Sequence, residues 1–549
     1  MRLRRLLASV LAAVMALPAV PAHAGSLDEM ERALQALQGQ MESLRKEIQQ
    51  MKQTPPAAAP AATSPPTAPP APAAVTPAPG APPVATTTTA TTVASAPRDT
   101  QSGVQVIPDS VRPSWLTDFR LGGYGSVRFE AADTPNVGET FTYRRFVLAG
   151  DATIAERLRT VFEIELERFT ELEVERTAPS EDGARGFSQS IEGSNHSEIS
   201  LEQAWLEFAI TDWLKFRAGA LLVPLGRFNL NHDDNRWDIP RRPLVDRGSP
   251  VLPSTAAWTE VGMGFTGDIP TGDLGKLSYQ VYAMNGATLD SNVELFARAS
   301  GELEAEVEIA PRRGTADIDV KHGKAVGARV AWSPGLGDEI GVSMYYGRYT
   351  PSFLPSEAIW SAAVDGKKTF GPFEIEAQYV YTRFQGIDRV VRGLANQVLE
   401  QALETGLSPV NTTIEFELAG LADTKHGYWV DLRYRFMPDF VRRSVFAKHF
   451  ENPTFALVAR GEQVWLRGMV TETAFSGGVV QAIERENRFV NRVTLGLAYR
   501  PVPLVVFQLA LERTWTDHGK SLAGVTNFIP AERTQSTQSA LLFGAAFGF

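Results

Sequence analysis

From Trp115 to Phe549 the chain is built of segments ten to fourteen residues long in which apolar and polar side chains alternate, joined by connections that are alternately short and long. Period two is the signature of a strand with one greasy face and one polar face. The connections at 155–156, 211–212, 333–337 and 501–503 are tight, while those at 173–197, 223–257, 285–322 and 385–424 are long. Short turns at one end, long loops at the other and an even strand number are the rhythm of a closed barrel spanning an outer membrane. Sixteen such segments run from "FRLGGYGSVRFEA" to "QSALLFGAAFGF". The expected fold is an all-β transmembrane barrel of about sixteen antiparallel strands over residues 115–549.

A soluble sandwich would account for the alternation but not for the loop rhythm or the last strand. There Leu541, Phe543, Ala545, Phe547 and Phe549 share one face and the chain ends on an aromatic residue, as insertion of outer-membrane barrels requires. No segment after the leader has the run of about 18 apolar residues that a membrane helix needs.

The residues before the barrel fall into three parts. Residues 1–24 carry Arg2, Arg4 and Arg5, an apolar run and Ala22-His23-Ala24, the layout of a cleaved secretory leader. In residues 25–53 Leu27, Leu34, Met41 and Ile48 recur every seventh position, with Met30, Leu37, Leu44 and Met51 three places on, the a and d seam of a coiled coil. A seam of this kind needs partner helices, so the chain is expected to oligomerise. Residues 54–114 open as a Pro-, Ala- and Thr-rich stretch that cannot build a core and serves as a semi-stiff linker. The absence of cysteine rules out disulfides and thiolate chemistry and fits an exported chain.

Charges on the lipid face near the midplane of a barrel cost several kcal/mol, on the order of 2–4 for Arg or Lys, so parity assigns the faces. Val493, Leu495, Leu497 and Tyr499 are expected outside with Arg492, Thr494 and Arg500 inside. Tyr428, Val430, Leu432 and Tyr434 are expected outside with Asp431, Arg433 and Arg435 inside. In "TVFEIELERFTELEVER" the acids Glu163, Glu165 and Glu167 point inward from the third strand, and Glu171, Glu173 and Glu175 continue it toward the outer mouth. Close carboxylates repel, so arginines such as Arg144, Arg145 or those of the third outer loop are expected opposite them.

That loop, "VPLGRFNLNHDDNRWDIPRRPLVDRGSPVLPSTAA", sets Arg227, Arg236, Arg241, Arg242 and Arg247 among Asp233, Asp234, Asp238 and Asp246. The arginines have two readings: a guanidinium fork that guides anions, or ion pairs that hold the loop in place. With Glu163, Glu165, Glu167, Arg217, Arg433 and Arg435 they form the candidate pore-lining set.

The stretch "EQAWLEFAITDWLKFRAGALLVPLGRFN", with "WTEVGMGFTGDI" and "LSYQVYAMNG" after the loop, resembles the porins grouped with phosphate-selective porins O and P over roughly residues 120–286. The resemblance implies a sixteen-stranded homotrimeric barrel in the outer membrane of a Gram-negative bacterium, a third loop folded into the bore, and passive uptake of small, often anionic, solutes. The coiled coil resembles instead a group of trimeric channels for dicarboxylates. The mixed charge of the expected lumen departs from a run of inward cations, and both solute classes stay open.

The remaining function classes are poorly supported. His196, His232, His322, His426, His449 and His518 are scattered and no nucleophile, metal or phosphate-loop motif occurs. No enzyme activity, cofactor or metal is therefore expected, and "HDD" at residues 232–234 reads as a solvated loop. A net charge of −10 argues against nucleic acid. The expected function is a porin for small hydrophilic solutes, its partners being outer-membrane lipid, copies of itself and the solute. The rival is a structural anchor whose periplasmic coiled coil tethers the envelope or a periplasmic partner.

Overall fold

The structure, a computed structural model, describes residues 104–105, 116–134, 139–167, 171–177, 188–194, 198–246, 251–297, 303–312, 314, 321, 323–404, 411–416, 421–476, 479–517, 520, 522 and 535–549. The leader, the heptads, most of the linker and Arg247 lie outside the described residues.

Sixteen strands form the wall: β1 Leu116–Ala132, β2 Thr140–Ile154, β3 Leu158–Glu167, β4 Glu198–Thr211, β5 Leu214–Leu222, β6 Thr259–Pro270, β7 Lys276–Met284, β8 Ala325–Ser333, β9 Glu339–Arg348, β10 Ala358–Phe370, β11 Phe373–Phe384, β12 Ala422–Phe436, β13 Thr454–Ser476, β14 Val479–Val502, β15 Val505–Thr516 and β16 Thr537–Gly548. Each pairs antiparallel with the next, and β1 pairs with β16 from Tyr124 opposite Gly548 to Ala132 opposite Ala540, closing the ring. The expected sixteen segments are these sixteen strands. Closure leaves no edge, so every wall strand finds backbone partners on both sides, as a hydrocarbon environment demands.

The apolar parity faces outward. Leu495, Leu511 and Met344 are 58%, 61% and 60% exposed, while Arg492, Thr494, Asp431 and Arg433 on the opposite parity are buried. Aromatic rings rim this belt. At the long-loop end His426 stacks on Trp465 at 4.8 Å, and Trp515 lies opposite Asn491. At the short-turn end Phe373, Tyr434, Phe436, Phe455 and Tyr499 follow one another with centroids 4.9, 5.6, 5.8 and 4.7 Å apart. From Asn491 to Tyr499, at about 3.3 Å rise and a tilt of about 40°, the belt is roughly 20 Å tall. β13 and β14, of 23 and 24 residues, outrun any bilayer; 24 residues at the same rise and tilt span roughly 60 Å.

Three departures from the sequence reading stand out. The strand Glu171–Thr177 is not a continuation of β3; it pairs with Ser188–Ser194 in a separate two-stranded sheet. The strands Thr288–Ala297 and Leu303–Arg312 form a hairpin that Asn411–Phe416 joins to β13 above the long-loop rim. At the opposite end residues 437–453 between β12 and β13 are no tight turn and include the helical turn Asp439–Arg442.

The bore is filled by an inward loop and a helix. Residues 223–246 and 251–258 lie within it, opening with α1, Gly226–Leu230, and reach from Glu130 near the long-loop end to Glu339 and Arg500 near the short-turn end. Gly226 takes φ +71, a left-handed conformation that favours glycine, beside the side-chain amide of Gln378 on β11. Above it packs α2, Ile387–Glu404. Phe228, Leu244, Val245, Leu252 and Trp258 of the loop, Val390, Val391 and Leu394 of α2, and Tyr282, Tyr345 and Trp429 of the wall form one apolar cluster with almost no exposure.

Candidate functional site

The loop is bound to the wall by charge on nearly all sides. Arg227 donates to Glu339 of β9 at 2.6 Å and to Glu376 of β11 at 2.5 Å. Arg241 pairs with Glu130 of β1 and, at 2.9 Å, with Glu512 of β15. In the opposite sense, Asp234 lies 3.5 Å from Arg145 of β2, and Asp238 meets Arg500 of β14 at 2.8 Å, Arg435 of β12 at 3.0 Å and Arg433 at 3.5 Å. Burial alone would raise the Asp234 and Asp238 carboxyls. The arginines outweigh it and hold both below the usual carboxylate range.

Hydrogen bonds from the loop backbone and from Gln508 complete the attachment. Ser343 accepts from the Gly226 N–H at 2.8 Å, Gln378 from Phe228 at 2.8 Å and Glu462 from Leu244 at 2.8 Å. Gln508 donates to the Trp237 carbonyl at 2.7 Å. The Trp237 ring sits against the guanidiniums of Arg433 and Arg460, 5.6 and 5.3 Å from its centroid, a cation–π arrangement.

The structure thus separates the sequence-derived set into attachments and bore-facing groups. Arg227, Arg241, Arg242 and Arg433 are buried and paired with carboxylates. Arg217 is likewise buried, donating to Glu207 at 2.5 Å over the Trp205 ring at 3.8 Å. Glu165 pairs with Arg145 at 2.6 Å, Glu167 with Arg145 at 3.3 Å, and Glu163 accepts from Gln203 at 2.7 Å, so Arg145 is indeed the cation opposite the inward acids. Arg236 and Arg435 differ, with side chains 43% and 34% accessible. The "HDD" run is not solvated: His232 is fully buried, its Nε2 3.0 Å from Glu202 Oε1 and its Nδ1 2.8 Å from the Asn229 carbonyl. Among the described residues no group of three metal-ligating side chains comes together.

Against the loop lies a cavity of about 560 Å³ reaching the short-turn end at Pro503 and Leu504. Its charged lining is Arg227, Arg236, Lys367, Arg435 and Arg500 against Glu163, Asp233 and Glu376. Glu376 is already engaged by Arg227 and Arg433, and Asp233 by Arg236 at 2.9 Å. Sequence reasoning placed Arg500 inside without assigning it to a cavity, and missed Lys367 as a cavity group and Glu130, Glu339 and Glu512 as loop anchors. The signal was the inward parity of their strands, which names a face but not a partner.

A closed sixteen-stranded barrel with an apolar belt, aromatic rims and a charged, loop-filled bore is a transmembrane barrel by its own geometry. No family model matches the chain. An uncharacterized protein of Aquifex aeolicus is 27% identical over 167 residues, 30% of this chain. The match spans about a third (32%) of that relative's length. Among solved structures, an anion-selective porin from Comamonas acidovorans is 11% identical, covering 78% of this chain and 99% of its own at a TM-score of 0.41. The outer-membrane channel DcaP of Acinetobacter baumannii is 9% identical over 79% and 97% with a TM-score of 0.40. A Salmonella typhi OmpF complexed with daunomycin is 10% identical over 79% and 98% with a TM-score of 0.42.

Proposed function

We propose that the chain is an outer-membrane channel for small hydrophilic solutes, with anions favoured, narrowed by the loop at residues 223–258, and assembled as a homotrimer with its coiled coil in the periplasm. The observation that carries this reading is the 560 Å³ cavity beneath the loop. Asp233 and Glu376 of its lining are held in ion pairs and Glu163 accepts from Gln203, while Arg236, Arg435 and Lys367, each paired on one side with a carboxylate, keep side chains accessible to the cavity. An anion arriving there exchanges part of its hydration for guanidinium and ammonium donors without displacing an existing pair, which favours it over a cation of equal size. The geometry applies equally to phosphate and to a dicarboxylate.

The test is the reversal potential of the purified protein in a planar bilayer under a salt gradient. It should take the anion-selective sign and move toward zero in the Arg236→Gln/Arg435→Gln variant. Phosphate or a dicarboxylate as competitor then ranks the two solute classes.

The structural anchor is favoured by one specific observation, the apolar packing of loop and α2 in the long-loop half of the bore. On that reading bilayers show no ion steps, and deleting residues 27–52 removes envelope attachment. On the channel reading the same deletion leaves conductance intact.

A further inference from the structure

Residues 437–453 stand apart from every other short-turn connection. The segment winds through consecutive tight turns closed by Arg442 N–H to the Pro438 carbonyl, Lys448 N–H to Ser444 and Phe450 N–H to Ala447. Those turns leave Phe440, Val445 and Phe446 exposed by 75%, 66% and 70%, with Phe450 beside them. Side chains this apolar are not left bare on a water-facing turn without a partner. Arg442, Arg443 and Lys448 of the segment are all exposed, and its two carboxylates, Asp439 and Glu451, stand at the ends of the apolar stretch, outside residues 440–450.

What covers the segment is indicated by where it attaches. Tyr499 Oη donates to the Phe446 carbonyl, and Tyr499 belongs to the lipid-facing parity of β14, stacked on Phe455 in the short-turn aromatic rim. The exposed phenylalanines therefore continue the lipid belt outward from its edge and do not face the bore. An apolar patch flanked by cations at the rim of a membrane-spanning belt has the composition of an interfacial anchor.

We propose that residues 440–450 seat in the leaflet at the short-turn end of the barrel, with Phe440, Val445 and Phe446 among the acyl chains nearest the headgroups and Arg442, Arg443 and Lys448 on anionic phospholipid phosphates. The inference rests on the membrane-barrel reading and not on conduction. The anchor fixes the height and tilt of the β12–β13 side of the wall.

The chain has no cysteine, so a single Val445→Cys, carrying an environment-sensitive fluorophore, reports on this segment alone. The labelled full chain is refolded into vesicles of phosphatidylethanolamine and phosphatidylglycerol, beside a Leu495→Cys control in the middle of the belt. The expected result is blue-shifted emission at 445, quenching by lipid spin-labelled near the glycerol backbone, and protection from aqueous iodide. That protection should fall when phosphatidylglycerol is omitted or in the Arg442→Gln/Arg443→Gln/Lys448→Gln background. Iodide quenching at 445 with lipid quenching retained at 495 overturns the anchor and leaves the barrel standing. Iodide quenching at both positions overturns the barrel reading itself. Protection at 445 from iodide and from spin-labelled lipid alike marks a contact between copies of the chain and also overturns the anchor.

Discussion

Asp238→Asn is the sharpest perturbation of the attachment between loop and wall. The carboxylate is 1% exposed and faces Arg500, Arg435 and Arg433 at 2.8, 3.0 and 3.5 Å. The amide keeps the shape and removes the charge, leaving three cations around a neutral group. Arg433 retains Glu374, Glu376 and Asp431, and Arg435 retains Glu374 at 3.6 Å, so Arg500 loses most. Removing one partner from a buried pair costs about 3–5 kcal/mol. Arg500 also keeps carbonyls of Asn235 and Trp237, which places the effect near the lower figure. At 1.4 kcal/mol per tenfold, a loss of about 3 kcal/mol raises the population of loop-detached states roughly a hundredfold. Single-channel recording in planar bilayers reads this as more frequent excursions to higher conductance, with a folded barrel confirmed by its electrophoretic mobility. A variant with the open-event frequency of the parent would refute the claim that Asp238 holds the loop against the wall.

Other expectations follow from the same geometry. Because the Asp238 carboxyl is held below its ordinary value, its contribution to loop attachment is complete above the unfolded value of about 4 and lost as pH falls through the depressed one. The difference in event frequency between Asp238→Asn and the parent should stay constant from pH 7 to about 4.5 and shrink only in stronger acid. Arg241→Ala and Glu512→Ala should each loosen the loop, yet together cost less than the sum of the two, since each strips the other of a 2.9 Å partner; a double-mutant cycle on event frequency measures the coupling. Leu495→Arg, on the lipid face, should cost about 2–4 kcal/mol in equilibrium refolding into vesicles. Val390→Asp places an unpaired charge where α2 meets the apolar cluster and should free the long-loop half of the bore, seen as faster proteolysis of residues 387–404.

The wall was readable because the membrane enforces parity. A charge at position 495 or an apolar side chain at 492 would each meet the wrong solvent, so alternation in "RVTLGLAYR" had one physical solution. Beyond the bilayer that constraint ends, and there the reading failed: Glu171–Thr177 alternates as cleanly as β3 but pairs in its own hairpin. The helix α2 was legible in principle, since Ile387, Val390, Val391, Leu394 and Ala395 recur at helical spacing; the length of the gap between strands does not by itself separate a helix from a loop. The loop arginines had two readings because sequence shows which charges are present and not where a chain returns. Arg241 and Glu512 stand 271 positions apart, and only the closed ring brings them together.

Ions are expected to cross this barrel through the cavity where Arg236 of the loop and Arg435 of the wall are accessible. Reversal potential in a planar bilayer under a salt gradient tests it most directly, comparing the parent chain with Arg236→Gln/Arg435→Gln. The expected result is discrete ion steps with an anion-selective potential that moves toward zero in the variant. A purified, folded barrel that shows no steps, or a potential of the same size in both proteins, would contradict it.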